Sequence, residues 1–435
     1  MTSLRKKFTR RDFLGSIGVG ATIGVPLVGK AEQVDGPKKP AGISPATLAQ
    51  DEDYWSKVAA NYDRTAGIVN LEHGYWGKMA HPVQNAYVAA TRMVNTQNSY
   101  YARKNFTADE IKSTRRVAQA LGVHDDEIVL TRNATESIHN LIRQYRGLVA
   151  GDAILYADID YPQFKKAMRW LVSSGGARQV ELIVPPRANQ AQMLALYRDA
   201  FDKNPDLKLI LLMHVSNQHG LVLPVAAIAS EARNRGIDVI CDAAQSWGLL
   251  DYQVPSLKVD WAGFNLHKWI GSPVGVGALY IRRGSLHKIA PYPGESDLNN
   301  SLLQTRVHSG TKNFASILAI PHALDFHQAI GGANKEARLR YLRQLWTNEA
   351  ESMAHIELLG GLDEASWTGM GSFRLKGKAS EKEVNQLQQK LELEFGIFTV
   401  VRDGLASGYC VRVTPQVFTT AQDMAQLVKA LRRLA

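Results

Sequence analysis

From about residue 105 the sequence alternates amphipathic helical patterns with short apolar runs. Several of these runs, such as 210–213 and 239–241, are apolar at every position. A strand that is buried on both faces is typical of a parallel sheet covered by helices. Residues 81–325 are therefore predicted to form a large α/β domain. Its predicted helices are 107–121, 135–148, 161–173, 190–201 and 225–235, and its predicted strands are 127–131, 153–157, 180–184, 207–215, 238–242, 260–265 and 277–282.

The pattern changes after residue 325, where helices and strands no longer alternate regularly. This indicates a smaller α+β domain at 326–435. Residues 32–80 are assigned to an N-terminal arm, in which 32–50 are rich in Pro and Lys, and 51–80 are expected to join the small domain or to cover a cleft. The predicted elements of the small domain are helices at 336–355, 380–395 and 421–434 and strands at 372–376 and 409–414.

Residues 1–31 carry the features of an export signal. Basic residues, including the pair Arg10 and Arg11, precede a glycine-rich, mildly apolar run at 17–28. This run is too short for the ~20-residue apolar helix that spans a membrane, so a stable membrane anchor is not expected. Paired arginines followed by Phe and Leu resemble the twin-arginine signal, which the Tat translocon exports to the periplasm. We predict cleavage near Ala31.

The net charge of the chain is smaller once the residues of this predicted signal are excluded. The 435 residues include 51 Lys and Arg and 41 Asp and Glu, which gives a formal net charge of +10. Residues 1–31 hold six of the basic residues and one of the acidic residues, so half of the excess belongs to the predicted signal. The remaining basic residues are dispersed, which argues against a nucleic-acid partner and suits an acidic substrate.

Composition also excludes several classes of protein. Apolar residues make up 45% of the chain, and this content rules out collagen-like and disordered chains. The two cysteines, Cys241 and Cys410, allow at most one disulfide and cannot supply a four-ligand zinc site. A globular protein without a metal site is expected.

Polar residues follow three consecutive predicted strands of the large domain. Ligands of open α/β sheets bind outside the carboxyl ends of the strands. Taken singly, Asp242 would be a turn or helix cap, Lys268 a solvated surface residue, and the amides hydrogen-bonding loop residues. Their joint placement favours a binding site instead. The residues concerned are Asn217, Asp242, Gln245, Asn265, His267 and Lys268.

A buried acid that faces a lysine suggests pyridoxal phosphate (PLP) chemistry. Lys268 would form a Schiff base with the cofactor aldehyde, and Asp242 would pair with the protonated ring nitrogen, which makes the ring an electron sink. The lysine must lose its proton to act as an amine, so partial burial is expected to lower its pKa. Asn217 and Gln245 are candidates for holding the ring oxygen.

Four sequence motifs carry a resemblance to a known family. They are H-V-S-N-Q-x-G at 214–220, D-A-A-Q-S at 242–246, N-x-H-K at 265–268 and G-V-G-A-L-Y-I at 275–281. In this order they resemble the class V aminotransferase family of fold-type I PLP enzymes, which includes cysteine desulfurases and isopenicillin N epimerase-like proteins. The resemblance spans 66–435. It implies a large domain with a mainly parallel seven-stranded sheet, a smaller α+β domain, and a homodimer with shared active sites.

The resemblance implies a role for each matching residue. Lys268, Asp242 and Tyr161 would be catalytic, with Tyr161 stacking on the ring, although packing in the core is the alternative for that side chain. Arg412, in the segment V-R-V-T-P, would bind the carboxylate of the substrate. The residues implied to bind the cofactor are Ala134, Thr135, Tyr161, Asn217, Asp242, Gln245, Asn265, His267, Lys268 and Thr311.

Two of these assignments concern the phosphate of the cofactor. Ala134 and Thr135 match the family's phosphate loop at a helix N-terminus, where free N–H groups and the helix dipole favour an anion. A capping box of Asn133 and Glu136 is the alternative there, and both can hold together. Thr311 resembles the family segment that is donated across a dimer interface to the partner's phosphate.

The cysteines bear on the type of reaction. Members of the family that act as desulfurases require a mobile cysteine shortly before the carboxylate-binding arginine, and the sequence has no cysteine from Thr311 to Tyr409. Cys410 would share a strand face with Arg412 and is expected to behave as a small buried hydrophobe. Sulfur transfer is therefore kept as an alternative, together with a binding protein that retains the fold without turnover.

Residues 70–76, N-L-E-H-G-Y-W, resemble the substrate-side segment of the epimerase-like branch. Aromatic residues in such a segment are expected to pack rather than to bind. The export signal makes the chain similar to exported members of the branch that modify a siderophore side chain. The favoured hypothesis is a periplasmic PLP enzyme that acts on the amino-acid moiety of a small peptide or secondary metabolite. It would work through an external aldimine and a quinonoid, by transamination, epimerisation or oxidative decarboxylation.

Overall fold

The computed structural model describes residues 37, 40, 42–295 and 301–434. The predicted export signal at 1–31, with its cleavage site, lies outside these residues. Within them, no helix is both long enough and apolar enough to cross a membrane.

The helices lie mainly where the apolar periodicity predicts them. The helix expected at 190–201 is observed as Gln190–Lys203, and Asn189 caps it, because its Oδ1 accepts a hydrogen bond from the Gln192 N–H at 2.8 Å. The helices of the described chain are α1 Pro45–Leu48, α2 Glu52–Ala59, α3 His81–Lys104, α4 Phe106–Leu121, α5 Ala134–Gln144, α6 Pro162–Gly175, α7 Gln190–Lys203, α8 Val225–Asn234, α9 Phe314–Leu318, α10 Ile320–Ile330, α11 Gly332–Glu351, α12 Glu381–Phe395 and α13 Ala421–Arg432.

The strands include all those that the sequence predicts and five more. Of these additional strands, β1, β5, β12 and β13 have only two or three residues, too few for alternation to be recognised. The fifth is β10. The strands are β1 Val69–Asn70, β2 Ile128–Thr131, β3 Ala153–Ala157, β4 Arg178–Leu182, β5 Arg187–Ala188, β6 Leu207–Met213, β7 Asp238–Asp242, β8 Trp261–Asn265, β9 Gly277–Ile281, β10 Ile356–Gly361, β11 Gly371–Leu375, β12 Ile397–Phe398, β13 Val400–Arg402 and β14 Cys410–Val413.

Seven strands form a large sheet in the order β2-β9-β8-β7-β6-β3-β4. Strands β8, β7, β6, β3 and β4 are parallel to one another, and β9 runs antiparallel to its neighbours β2 and β8. Every residue of β3, β8 and β9 is buried, which is typical of a sheet covered on both faces. The prediction of a mainly parallel seven-stranded sheet in an α/β fold is confirmed.

A smaller sheet has the order β13-β14-β11-β10-β5 and is built mostly from the C-terminal part of the chain. It has a hydrophobic core of its own, which includes Trp346, Phe373 and Val411. Leu71 packs into the same core, and β1 pairs in parallel with β12. The N-terminal segment around residue 70 therefore packs against the C-terminal part of the chain. The domain boundaries at 80/81 and 325/326 remain predictions.

Five observed helices, α1, α2, α3, α9 and α10, are not predicted from the sequence, and the helix that follows β2 is shorter than expected. Helix α3 is not predicted, because only Val83 and Tyr101 of its residues are buried and no apolar stripe marks it. The helix expected at 135–148 ends at Gln144. The next residue, Tyr145, is extended, and its hydroxyl donates a hydrogen bond to the Asp238 carboxylate at 2.6 Å.

Candidate active site

A cavity of about 520 Å³ lies at the carboxyl ends of the parallel strands. The ends of β6, β7 and β8 and the N-terminus of α5 border it. Among the predicted site residues, Ala134, Thr311 and Arg412 do not line the cavity. Those that do are Thr135, Tyr161, Asn217, Asp242, Gln245, Asn265, His267 and Lys268.

Asp242 is the last residue of β7 and is buried. The Ala244 N–H donates to its Oδ1 at 2.9 Å, whereas Oδ2 has no hydrogen bond to any described residue. Burial raises the pKa of the carboxyl group, and the Ala244 hydrogen bond and the charge of Lys268 partly offset that effect. Oδ2 is thus an acceptor without a donor, as a partner for a protonated ring nitrogen should be.

Lys268 follows the end of β8 by three residues and lines the cavity. Its Nζ makes no hydrogen bond within the described ranges. Burial lowers the pKa of this amine to about 8; the charge of Asp242 opposes the shift, while Arg412 and Arg402 add to it. At neutral pH the amine is therefore much closer to its nucleophilic, neutral form than a surface lysine is.

The N-terminus of α5 leaves one backbone donor free. The Ala134 N–H donates to Asn265 Oδ1 at 2.9 Å, and the Glu136 N–H donates to Asn133 Oδ1 at 2.8 Å. Between them, the Thr135 N–H has no partner among the residues that the structure describes. Free N–H groups of a first helical turn bind anions, so Thr135 is the donor that this terminus offers to a phosphate.

The capping box expected at this helix is only half formed. Glu136 Oε2 accepts a hydrogen bond from the Arg132 N–H at 2.6 Å, one residue earlier than a capping box requires. The other oxygen of Glu136 pairs with the Arg132 guanidinium at 3.0 Å. Glu136 therefore fixes the loop before α5 rather than closing the box on Asn133.

Asn265 and His267 both have partners within the protein. Asn265 holds the first N–H of α5, so it positions the helix terminus. His267 Nδ1–H donates to the Val276 carbonyl at 3.0 Å, since a carbonyl can only accept. Burial lowers the pKa of His267 to about 4, so the ring is neutral and Nε2 carries a lone pair.

The two amides near the predicted ring oxygen differ in what they can offer. Gln245 Nε2 donates to the Gly74 carbonyl at 2.9 Å, and its Oε1 accepts from Trp269 Nε1–H at 2.9 Å. Asn217 Oδ1, in contrast, is buried and has no hydrogen-bond partner in the described part of the chain. Asn217 is therefore the amide with capacity for a ligand. Tyr161, half-buried at the start of α6, lines the same cavity.

The surroundings of Arg412 differ from those that the resemblance implies. It is fully buried on β14, and its Nη2 donates to both carboxylate oxygens of Glu72, at 2.7 and 2.8 Å. Its Nη1 donates to the Asn217 carbonyl at 2.7 Å. Burial raises the pKa of Glu72, but the charge and hydrogen bond of Arg412 outweigh this, and the net shift is downward. The carboxylate on Arg412 is therefore supplied by the protein itself rather than by a substrate.

Arg402, the last residue of β13, is not predicted from the sequence, yet it lines the cavity near Lys268. No ion pair joins it to another part of the described chain. In the sequence, Arg402 is distinguished only by its position after two valines, Val400 and Val401, which form a strand of three residues with it. A single basic residue in so short a segment is indistinguishable from a solvated one.

The aromatic residues of the segment 70–76 were expected to pack, and this expectation is wrong. Tyr75 and Trp76 line the cavity with 69% and 48% of their surfaces exposed. The reason lies in Gly74, whose backbone runs so close to Arg412 that an added Cβ would lie 2.6 Å from Nη2. The Gly74 backbone packs against the protein interior at Arg412, so the rings of Tyr75 and Trp76 face the cavity and the solvent.

Comparison with known families decides the class of protein. Residues 79–427 match the family described as aminotransferase class-V. This chain belongs to that family. This chain is 25% identical over 403 residues to isopenicillin N epimerase of Amycolatopsis lactamdurans. The aligned region covers 88% of this chain and 98% of that protein. The chain is 26% identical over 333 residues to a probable cysteine desulfurase of Vibrio cholerae, covering 73% of this chain and 80% of that protein.

Solved structures share the fold of this class V protein. The cystine C-S lyase C-DES, in complex with its reaction product cysteine persulfide, gives a TM-score of 0.73 at 22% identity, over 84% of this chain and 97% of that chain. The cysteine desulfurase CsdA of Escherichia coli gives a TM-score of 0.73 at 21% identity, over 87% and 98% of the two chains. These likenesses confirm the fold.

The class V family is PLP-dependent, and the cavity fits this cofactor. With respect to the residues that the structure describes, Lys268 offers an amine without a partner, Asp242 an acceptor without a donor, and Thr135 an unpaired N–H at a helix N-terminus. A pyridine aldehyde that carries a phosphate needs these groups for attachment. The predicted cofactor and the predicted enzyme class are both confirmed by the family.

Proposed function

We propose that this protein is a periplasmic PLP-dependent enzyme that acts on the amino-acid moiety of a small peptide or secondary metabolite. The observation that carries the proposal is the cavity in which Lys268, Asp242 and Thr135 come together. The likeness to isopenicillin N epimerase, which extends over 98% of that protein, supports chemistry at a stereocentre. Removal of the α-proton would then lead to transamination or epimerisation, whereas loss of the α-carboxylate as CO2, followed by oxidation by O2, would give oxidative decarboxylation.

The chain's own residues supply binding and proton transfer. When bound, PLP supplies an electron sink for a carbanion at the α-carbon of the attached amine. Lys268 Nζ, whose pKa is lowered to about 8, is suited to accept the α-proton and to return it near neutral pH. With PLP bound, Asp242 Oδ2 would hold the proton at the ring nitrogen, and the Thr135 N–H would bind a phosphate oxygen at the positive end of α5.

The geometry does not favour sulfur transfer, the alternative that the desulfurase relatives raise. Cys410 is fully buried on β14, where its thiol contacts the Gln218 carbonyl at 3.8 Å, and burial raises its pKa to about 11. Cys241 is buried within β7. These are the two cysteines of the sequence, and neither lines the cavity.

Location and assembly are part of the same proposal. The paired arginines Arg10 and Arg11 support export through the Tat translocon. Thr311 is exposed outside the cavity, which suits a segment that completes the site of a second copy in a homodimer. Replacing both arginines by lysine should leave the uncleaved protein in the cytoplasm on cell fractionation. Sedimentation equilibrium should give the mass of a dimer.

The reaction is tested by incubating the PLP-loaded protein with amino acids and small peptides in heavy water. Mass spectrometry should detect deuterium at the α-carbon or a product of altered mass. Lys268→Ala should abolish both, whereas Lys376→Ala, at an exposed lysine, should behave as the wild type. A substrate pool that stays chemically unchanged and gains no deuterium would contradict the proposal.

A further inference from the structure

Two arginines and one glutamate meet beside the cavity, on one face of the smaller sheet. In the antiparallel pair of β13 and β14, Arg402 lies opposite Cys410, and Arg412 lies opposite Val400. Since side chains alternate along a strand, Arg402 and Arg412 project from the same face. They are diagonal neighbours, whose Cα atoms are typically about 7–8 Å apart. Glu72 reaches this face from the N-terminal segment.

The Glu72 carboxylate pairs with Arg412, so the guanidinium has no unpaired charge with which to bind a ligand. Both oxygens of the carboxylate accept from Arg412 Nη2, and Nη1 is used by the Asn217 carbonyl. The close approach of Gly74 to the guanidinium holds the segment that carries Glu72 in place. A buried guanidinium–carboxylate pair of this kind is strong, so the protein neutralises Arg412 by itself.

Arg402 carries the positive charge that remains. It lines the cavity and, unlike Arg412, none of its guanidinium nitrogens has a hydrogen bond or ion pair with another described residue. Burial lowers the pKa of Arg402 to about 10, with Arg412 adding to the shift and Glu72 opposing it, so the guanidinium stays charged at neutral pH. Arg402 is half-buried, and the nearby charges of Glu72 and Asp403 form no ion pair with it, so its charge is only partly compensated, which is costly. The partner that this arrangement lacks is an anion in the cavity.

We propose that Arg402 binds the carboxylate of the substrate, and that Glu72 restricts the site to substrates with a single carboxylate at this position. The inference rests on the proposed function, since it concerns the substrate of that site. Two guanidinium groups and one carboxylate leave one net positive charge, which one substrate carboxylate neutralises. A second carboxylate would meet Glu72 instead of a free arginine and would be repelled. Glu72 is in this sense a specificity-determining residue.

The role of Arg402 is tested with PLP-loaded protein and the unreactive probe propionate, followed by calorimetry and by the visible absorption of the cofactor. Arg402→Gln should weaken propionate binding about tenfold or more, because a hydrogen bond to a charged group is lost. Arg402→Lys should restore part of the affinity. Arg433→Gln, at an exposed arginine after α13, should bind as the wild type does. Unchanged binding in Arg402→Gln would overturn the proposal.

The role of Glu72 is tested with succinate as a second probe. Glu72→Gln should raise the affinity for succinate relative to propionate about tenfold, because the second carboxylate then finds Arg412 without its partner. Glu72→Asp, which keeps the charge but shortens its reach, should shift the ratio in the same direction by a smaller factor. A thermal melt verifies that each variant is folded, and an unchanged ratio in a folded variant would refute this role.

Failure of the proposed function would look different. In that case the PLP-loaded protein would neither place deuterium at the α-carbon of any amino acid or small peptide nor change the mass of one. Calorimetry of propionate binding would still show whether Arg402 holds a carboxylate. The two hypotheses therefore fail by separate measurements.

Discussion

The carbonyl oxygen of Lys268 occupies the place where a side chain at Gly77 would stand, since a Cβ there would lie 2.0 Å from it. In addition, the Gly77 N–H donates a hydrogen bond to the His267 carbonyl at 2.8 Å. The N-terminal segment thus holds the loop of the reactive lysine by contacts that require glycine at this position. This explains how a segment far from the large sheet in sequence belongs to the site.

Gly77→Ala is expected to displace this loop. The clashing atom belongs to the backbone and cannot rotate away, and overpacking of this kind costs about 1–3 kcal/mol. A lower Tm and weaker PLP binding should result, measured by thermal melts and by titration of the apoprotein. Gly175→Ala is the matched control, because nothing lies within 4 Å of its Cβ position. Equal losses in both variants would show that Gly77 has no special role.

Borohydride reduction of the PLP-loaded protein should attach the cofactor to Lys268 and not to Lys335. Lys335 is the informative comparison, because burial lowers its pKa to about 7. Its Nζ, however, donates to the Trp269 carbonyl, and it does not line the cavity. Reactivity should therefore follow position rather than pKa. Peptide mapping by mass spectrometry checks this, and label on Lys335 would count against the assignment.

The carboxyl-end residues of the large sheet are the part of the site that can be predicted from sequence. Apolar runs identify parallel strands, and parallel strands bring their carboxyl ends to one edge. Asn217 and Lys268 follow the ends of β6 and β8, Asp242 is the last residue of β7, and all three line one cavity. Their proximity follows from the topology alone, without knowledge of any side-chain contact.

Contacts between distant segments cannot be predicted in this way. Glu72 and Arg412 are 340 positions apart, and no local pattern in either segment specifies the partner. Arg402 ends a strand of three residues, too short for a period to be read. Tyr75 and Trp76 look like core residues by composition. Their exposure depends on the close packing of the adjacent glycine, which only the folded chain reveals.

The rate at which the apoprotein takes up PLP should depend on pH through Lys268. Because burial lowers the pKa of the amine to about 8, the neutral fraction and the rate should rise as pH increases through 8 and then level off. The charge of Asp242 opposes the shift, so Asp242→Asn should move the midpoint to lower pH. Time-resolved visible absorption measures both profiles, and an unshifted midpoint would disprove the coupling.

The lowered pKa of Lys268 also makes the stability of the protein depend on pH. The unfolded state binds more protons than the folded state between the folded pKa of about 8 and the ordinary value of 10.5. In this window the contribution of Lys268 to the free energy of unfolding should rise with pH. Lys268→Met should remove this slope in urea titrations of the apoprotein.

Glu72→Gln should lower the free energy of unfolding by about 3 kcal/mol, because it leaves the buried charge of Arg412 without a counterion. The double variant Glu72→Gln/Arg412→Gln should lose less than the two single losses together. The folded pKa of Glu72 is lowered, so its contribution is complete at neutral pH and is lost as pH falls through that lowered value. Urea unfolding at several pH values tests this, and additive losses would argue against a coupled pair.

Neither cysteine should react with iodoacetamide in the native protein. The thiolate is the reactive form, and burial raises the pKa of both thiols, that of Cys410 to about 11. Both side chains are also buried, so the reagent has no access to them. We therefore expect native alkylation to leave the exchange of the α-proton unchanged, whereas both cysteines should be modified after unfolding in urea. If native alkylation abolished turnover while the visible absorption of bound PLP persisted, a thiol would take part in the reaction, and sulfur transfer would replace the function proposed above.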